Sequence, residues 1–355
     1  MATSAKLMVT RTSCNHQKGA MAIVADKARV GWQYIERMGW PINQEAYQIE
    51  VHERITRQLI YDSGVVHSAE SQLISLPHLA PNVYGYTWHV RIAGQGQEKK
   101  GKGMTRGSDM LEWSDWSQEQ TLRVVPADLR TLPTNRQAPI STPQWIGAIS
   151  KRNAHIPTGR WSNEVFKKDT FLTQWDQVDS LSSRSIILRK GFRASHAITD
   201  AVVYVCGLGH YEMSINGRRV GNSEFAPLWS EYSRTVYYNT YDVTKLLREG
   251  DNAVAVLLGN GFFNVQRGKR YSKLQTSFGP PQLFLRMDIT YDDGTTEHVV
   301  SDDSWHWCKS PITFNSIYGG ESYDARLEQE GCLEPEFDDS KWEKAVVVEG
   351  PEGQL

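Results

Sequence analysis

Residues 207–261 read GLGHYEMSINGRRVGNSEFAPLWSEYSRTVYYNTYDVTKLLREGDNAVAVLLGNG, and this stretch decides the fold. Tyr211, Met213 and Ile215 alternate with His210, Glu212 and Ser214, the period-two pattern of a strand with one buried face. Asn216 and Gly217 follow at once. Both tolerate positive φ, so they predict a type I′ hairpin turn with a return strand from Arg218. Glu212 then faces solvent or pairs with Arg218 across the hairpin. Further on, Asp242 or Thr244 caps a one-turn helix over residues 245–249, closed by Gly250. Residues 253–258 are apolar at every position, as a strand buried on both faces requires. Asn260, between two glycines, is expected in the left-handed conformation.

Outward from this stretch the patterns remain those of strands. Upstream lies the apolar run 202–206, which makes Cys206 a buried small hydrophobe, and before it a strand over 185–190. Downstream, Leu283, Leu285, Met287, Ile289 and Tyr291 share one face of a strand. Asp292-Asp293-Gly294 turns that strand into another over 297–300. Asp302, Asp303, Asp338 and Asp339 fit surface turns. In the first third, Tyr84, Tyr86, Trp88, Val90 and Ile92 fall on one face of a strand, with Thr87, His89 and Arg91 on the other. Residues 47–51 alternate likewise, residues 62–64 form a turn and residues 120–125 close the unit. Residues 1–40 hold the first strand of the first domain and a disordered tail, and the apolar run at 21–25 is a strand or a helix.

The elements GHYEMSINGRRVG, APLWSEY, YYNTYDVTKLL, GDNAVAVLLGNGFF, IYGGESYDARLE and FDDSKWEKA stand in one order across the second half of the chain. In that order the chain resembles the N-terminal β-sandwich domain of bacterial α-L-rhamnosidases of glycoside hydrolase family 78. One departure is that Leu228 stands where the family usually has Gly. The layout YQIEV, DSG, YTWHVR, WSDWS, TLRVV resembles a fibronectin type III sandwich, the module expected at the front of that family. The expected fold is therefore all-β: a fibronectin III-like sandwich over residues 1–125 with an N-terminal tail, then a jelly-roll, galactose-binding-like sandwich over 145–310. The Pro-rich, aperiodic stretch 126–144 is a linker, and 311–355 is an extension leading towards a catalytic module. In the family that module is an (α/α)6 barrel, and this chain lacks the helical periodicity for one.

Composition narrows the function. The chain has 355 residues, 39 % of them hydrophobic, and a formal net charge of −2, so no global field draws nucleic acid or an anionic membrane. The basic run Lys99, Lys100, Lys102 and Arg106 lies among glycines without interleaved aromatics and reads as a solvated loop within the insert 94–107. No run reaches the roughly 18 apolar residues of a membrane span. Residues 1–12 lack the apolar centre of a secretory signal, which fits a cytoplasmic protein or an exported one whose leader has been cleaved. The spacing of Cys14, Cys206, Cys308 and Cys332 suggests neither a zinc site nor a disulfide framework. The box Trp113-Ser114-Asp115-Trp116-Ser117 also occurs in cytokine receptors, whose ectodomains are secreted and disulfide-stapled. Here it takes a structural role, with Arg91 placed to stack between the two indoles.

Glycoside hydrolysis needs two carboxylates flanking the bond. Glu321 and Asp324 are the tempting pair, but their spacing sets them on opposite faces of a strand. Their expected role is structural, for instance pairing with Arg326, and no residue is assigned a catalytic role. Sugar binding needs aromatic faces for the apolar side of a pyranose and fixed donors for its hydroxyls. Two loops carry such groups: Asn222, Ser223, Trp229 and Tyr232 in one, and Asn260, Phe262, Phe263 and Asn264, leading to Arg267, in the other. Phe262 suits a deoxy-sugar methyl, and Asn222 and Asn264 suit the hydroxyls. The resemblance implies that some relatives use this sandwich as a calcium-dependent rhamnose-binding module, with its acid–amide pair near Asn222 and Ser223. Ca²⁺ could bridge neighbouring sugar hydroxyls at Asn222, but the amide replaces the family's usual Asp and favours a calcium-independent site. The expected function is recognition of a rhamnose-containing glycan and support of the chain's own C-terminal catalytic domain. The competing reading is a structural or interaction module with no ligand of its own.

Overall fold

The computed structural model describes residues 7–15, 22–36, 43–81, 84–94, 97–100, 103–106, 111–130, 142–150, 159–161, 180–265 and 275–355. It divides into two compact units, residues 1–127 and 128–355. Among the described residues there are strands and short 3-10 turns, and no helix is long and apolar enough to cross a membrane.

The first unit is a sandwich. One sheet orders Leu7–Cys14, Arg29–Glu36 and Ile74–Ser75; the other orders Ala22–Val24, Gln120–Val125, Tyr86–Gly94, Ala46–Glu53 and Leu59–Asp62, with Glu112–Trp113 beside Tyr86–Gly94. The predicted face of Tyr86, Trp88, Val90 and Ile92 is buried, together with Val30, Trp32, Ile49 and Leu122. Trp32 donates its indole N–H to Gln44 Oε1 at 2.7 Å, which satisfies the one polar group the core Trp carries. The structure settles or changes the sequence reading at three places. Residues 7–14 and 29–36 form two paired strands, where one strand and a tail are expected within residues 1–40, and a register shift between Val9 and Arg11 interrupts the first. The run at 21–25 is a strand, Ala22–Val24, set parallel to Gln120–Val125. The basic insert is a hairpin rather than a loop: Gln97–Lys100 pairs with Gly103–Arg106, because only two residues separate the strands and four-residue ladders can close on either side. Residues 95, 96, 101, 102 and 107 of that insert lie outside the described residues.

The second unit is also a two-sheet sandwich. Asn239–Asp242, Ile198–Leu208, Gln282–Tyr291, Ile146–Gly147 and Val346–Val347 form one sheet, with Thr296–Val300 beside Gln282–Tyr291. Arg218–Val220, His210–Ile215, Gly250–Gly259, Ile186–Ala194, His306–Lys309 and Glu343–Lys344 form the other. Between them lie Val203, Val205, Leu283, Leu285, Met287, Ile289, Tyr211, Met213, Ile215, Val254, Val256 and Trp305. The predicted turn is present, with φ 49° at Asn216 and 72° at Gly217, the signature of type I′. Asn216 also ties the hairpin down: its amide donates to Leu246 O at 2.9 Å, and its Oδ1 accepts from Ala253 N at 2.9 Å. The expected helix shrinks to Thr244–Leu246; Asp242 Oδ1 accepts from Thr244 N at 3.0 Å, and Gly250 opens the next strand at φ 87°. Cys206 is fully buried, and burial pushes its thiol well above the ordinary range.

Residues after 310 complete this unit rather than trailing from it. They supply an edge strand to each sheet, Glu343–Lys344 and Val346–Val347. Arg189 fastens them: from a side chain only 2 % exposed, it donates to Cys332 O at 3.1 Å and Glu334 O at 2.7 Å, and it pairs with Asp339. Asp339, expected in a surface turn, is thus a buried cation's partner, and His306 Nδ1 approaches it from the other side at 3.2 Å. Asp302 and Asp338 do cap turns, accepting from Ser304 N and Ser340 N at 3.0 Å each. On the outer face of the other sheet, Arg286 makes a bidentate pair with Asp288 at 2.8 Å, and His298 Nδ1 bonds the same carboxylate at 2.7 Å. Burial alone would raise the Asp288 carboxyl, but the His298 bond and the Arg286 charge together hold it below its ordinary range.

Of the linker at 126–144, residues 131–141 lie outside the described residues, as do 151–158 and 162–179 of the irregular stretch before residue 183.

Candidate functional site

Two segments that end strands in the second unit bring a group of rings to the surface. His210 begins its strand, Phe262 follows Gly250–Gly259, and the segment 222–232 returns beside both. Trp229 stacks on Phe262 with centroids 5.4 Å apart and planes 25° from parallel. His210 meets Phe225 at 5.6 Å and Phe262 at 6.4 Å, and Tyr318 meets Phe262 edge-on at 6.1 Å. Much of this surface is open: Phe225 is 65 %, Leu228 72 % and Trp229 49 % exposed. Burial holds the His210 imidazole below its ordinary pKa, so it presents a neutral ring at neutral pH.

The sequence-predicted site residues divide. Trp229 and Phe262 belong to this patch, and Asn222 and Ser223 lie exposed in the same loop. Tyr232 does not join them; it is buried and packs against Phe263 and Phe278 at 5.2 Å each. Asn260 and Asn264 are buried and committed inward. Asn260 donates to Ser183 O at 2.8 Å and Asn315 O at 3.1 Å; Asn264 donates to Ser182 O and to Asn260 Oδ1 at 2.9 Å each, and accepts from Ser277 at 2.8 Å. A buried amide must be satisfied in this way. Together they fix the segment that presents Phe262. Gly261, not Asn260, takes the left-handed turn, at φ 50°, since it has no side chain to place in this network. Arg267 lies outside the described residues.

Glu224, an acid of the Asn222 loop, has a protein cation beside it. Arg219 lies 3.4 Å from Glu224 and 3.7 Å from Glu212, and donates to Ser223 O at 3.2 Å. The expected partner of Glu212 was Arg218, but the register pairs Arg218 with Ile215 and Arg219 with Ser214. That one-residue step puts Arg219 on the face Glu212 shares with Ser214. The guanidinium thus already pairs with Glu224, two residues along the chain from Asn222.

A separate cleft of about 780 Å³ lies on the outer face of the sheet, between Ile187, Ala255 and Leu257 and the segment carrying Tyr323, Glu328 and Leu333. Glu321 and Asp324 do not converge on it as a catalytic pair: Asp324 caps the turn Ala325–Leu327 and holds Arg326 through two bonds of 2.8 and 2.6 Å. Reading the sequence alone missed His210, Phe225 and Tyr318 as members of the ring group. The signal for His210 and Tyr318 was their place beside glycines at strand ends, where a side chain overhangs the sheet edge.

Comparison with known proteins accords with this architecture. Residues 196–355 match the family described as alpha-L-rhamnosidase N-terminal domain, and residues 9–108 match the Rha78A-like N-terminal immunoglobulin domain. An alpha-L-rhamnosidase of Formosa agariphila is 27 % identical over 339 residues, 92 % of this chain and 32 % of its own length. One from Streptomyces avermitilis is 37 % identical over 188 residues, 51 % of this chain and 17 % of its own. The solved alpha-L-rhamnosidase from Dictyoglumus thermophilum aligns at TM-score 0.71 with 27 % identity, covering 99 % of this chain and 35 % of that one. The chain thus spans about a third or less of the length of these relatives. Residues 196–355 thus match the alpha-L-rhamnosidase N-terminal domain, and the sandwich before them matches the Rha78A-like N-terminal immunoglobulin domain.

Proposed function

We propose that this chain is a non-catalytic N-terminal portion of an α-L-rhamnosidase-like glycoside hydrolase, and that its second sandwich recognises a rhamnose-containing glycan. The observation that carries the reading is the half-open stack of Trp229 on Phe262, flanked by Phe225, His210 and Tyr318. A deoxyhexose offers an apolar C–H face and a methyl group, and aromatic rings are the surface that accepts both. Asn222 and Ser223, exposed beside the rings, supply polar contacts. Because Asn222 is a neutral amide and Glu224, an acid of its loop, already pairs with Arg219, the site takes the sugar without Ca²⁺. Affinity for one small sugar is modest, about 0.1–1 mM.

Calorimetric titration with L-rhamnose, with and without a chelator, tests this. Binding that survives chelation and is lost in Trp229→Ala supports it; no heat at millimolar sugar in either condition refutes it. A second reading is favoured by one observation: Leu228 and Phe225, apolar and among the most exposed side chains, suit a surface that seats another domain. In that case the chain is a scaffold with no ligand, and the same titration stays silent. Either way the chain should not release rhamnose from an aryl rhamnoside.

A further inference from the structure

We propose that the first sandwich carries a binding site for a divalent transition-metal ion, zinc being the representative case, formed by Glu50, His52 and His89. The strand pair Ala46–Glu53 and Tyr86–Gly94 creates it. Glu50 and His52 are two residues apart on one strand, so they project from the same face. The register sets His89 directly opposite Glu50, where cross-strand Cβ atoms approach to about 5 Å. His89 Nε2 lies 3.0 Å and His52 Nε2 3.7 Å from the same carboxylate oxygen, Glu50 Oε2. The three ligand atoms fall within 4.8 Å of one another. Two donors about 2.0–2.2 Å from a tetrahedral zinc stand roughly 3.3 Å apart, so small side-chain shifts admit an ion.

The donor set has the right chemistry. Two imidazoles and one carboxylate suit Zn²⁺, Ni²⁺ or Cu²⁺, whereas Ca²⁺ and Mg²⁺ prefer oxygen donors alone. The side chains of His52, Glu50 and His89 are 18 %, 23 % and 15 % exposed, shielded yet reachable from solvent. Three protein ligands leave a fourth position for water or a partner's group. The His89 ring is held in place, stacked on Trp116 with centroids 4.2 Å apart, and Trp116 is in turn braced by Arg91 at 4.8 Å. The nearby cation Arg57 is neutralised by a two-bond pair with Glu119, so it does not repel an incoming ion. This gives the Trp-Ser-Asp-Trp-Ser box a second consequence: the ladder it builds orients a metal ligand.

The test uses the full chain, stripped with a chelator. Zinc titration followed by elemental analysis should give one ion per chain, and Glu50→Gln, His52→Asn and His89→Asn should each weaken uptake by at least about tenfold. Elemental analysis counts an ion wherever it sits, so Cu²⁺ with electron paramagnetic resonance provides the site-specific readout. Two imidazole nitrogens should couple to the copper, and His52→Asn should leave one. Circular dichroism checks that the variants are folded. If His89→Asn unfolds through loss of the Trp116 stack, His52→Asn and Glu50→Gln decide alone. Metal uptake unchanged in those two variants, or copper spectra without two-nitrogen coupling, would overturn the site.

Discussion

Two groups of aromatic rings, one in each sandwich, show how the same chemistry serves different ends. In the first, Arg91 lies 4.8 Å from both Trp113 and Trp116, His89 closes the row against Trp116, and Gln48 Oε1 accepts from Arg91 Nε at 3.0 Å. Trp116 meets both Arg91 and His89, and a cation lies against both indoles. In the second, Trp229, Phe262 and Phe225 touch one another's neighbours but leave faces to solvent. A closed ladder stabilises and orients; an open one remains available. The difference decides which ring group to regard as the ligand site, and it can be broken experimentally.

The largest expected effect concerns neither group but the clamp within the second sandwich. Arg189 holds carbonyls of Cys332 and Glu334 and the carboxylate of Asp339. Replacing it with Met leaves Asp339 with His306 as its remaining partner and orphans the carbonyls, at a cost of about 1–3 kcal/mol for each group left unsatisfied. Hydrogen exchange should accelerate across Ile186–Ala194 and residues 325–345 and stay unchanged in Tyr86–Gly94. Loosening in both units would show that they do not fold independently.

Next comes Arg91→Ala. It removes two cation–π contacts worth about 0.5–2 kcal/mol each, and urea denaturation should register the loss in the first unit. Rhamnose titration should be unaffected, because the closed ladder is not the sugar site. An altered sugar affinity would contradict the contrast between the two groups.

Trp229→Ala should do the opposite. Half exposed, it contributes little to stability, within about 1 kcal/mol, while sugar affinity falls about tenfold or more. A large stability loss with no change in binding would recast the open group as packing surface.

Much of this was legible in the sequence, and the reason is local. Period-two runs and the Asn216-Gly217 turn are decided by neighbouring residues, and the Arg91 ladder by one strand and one box. What the sequence hid depends on partners far along the chain. Asn260 and Asn264 suggest sugar ligands by type, yet their amides are committed to carbonyls at Ser183 and Ser182, 77 and 82 residues away. Asp339 suggests a turn, yet its partner Arg189 lies 150 residues before it. Glu50, His52 and His89 become a cluster only through a strand register that no local pattern specifies. The misread loop at 97–106 and the unread strand at 7–14 fail for a simpler reason, since short, polar or bulged strands carry little alternation; in 29–36 the alternation of Val30, Trp32 and Tyr34 was there to be read.

The smallest effect, and the sharpest on whether the open group is covered when ligand binds, is the pH dependence at His210. Burial depresses its pKa in the folded chain, while the unfolded chain takes up the proton at about 6.5. Between the two values the unfolded state binds more protons, so stability falls as pH drops through about 6.5 and levels off below the folded value. A sugar seated on Phe225 and Phe262 removes more water from the ring and depresses the pKa further. Binding then competes with protonation, and affinity should weaken as the pH is lowered through the depressed pKa of the free folded chain. His210→Gln keeps a polar side chain of similar reach without the titration, so it should flatten that part of the profile while leaving affinity at pH 8 within about twofold. Calorimetry at pH 8 and pH 5.5 on both proteins measures this. Parallel profiles would mean that bound sugar leaves His210 uncovered and that the ligand lies elsewhere on the sandwich.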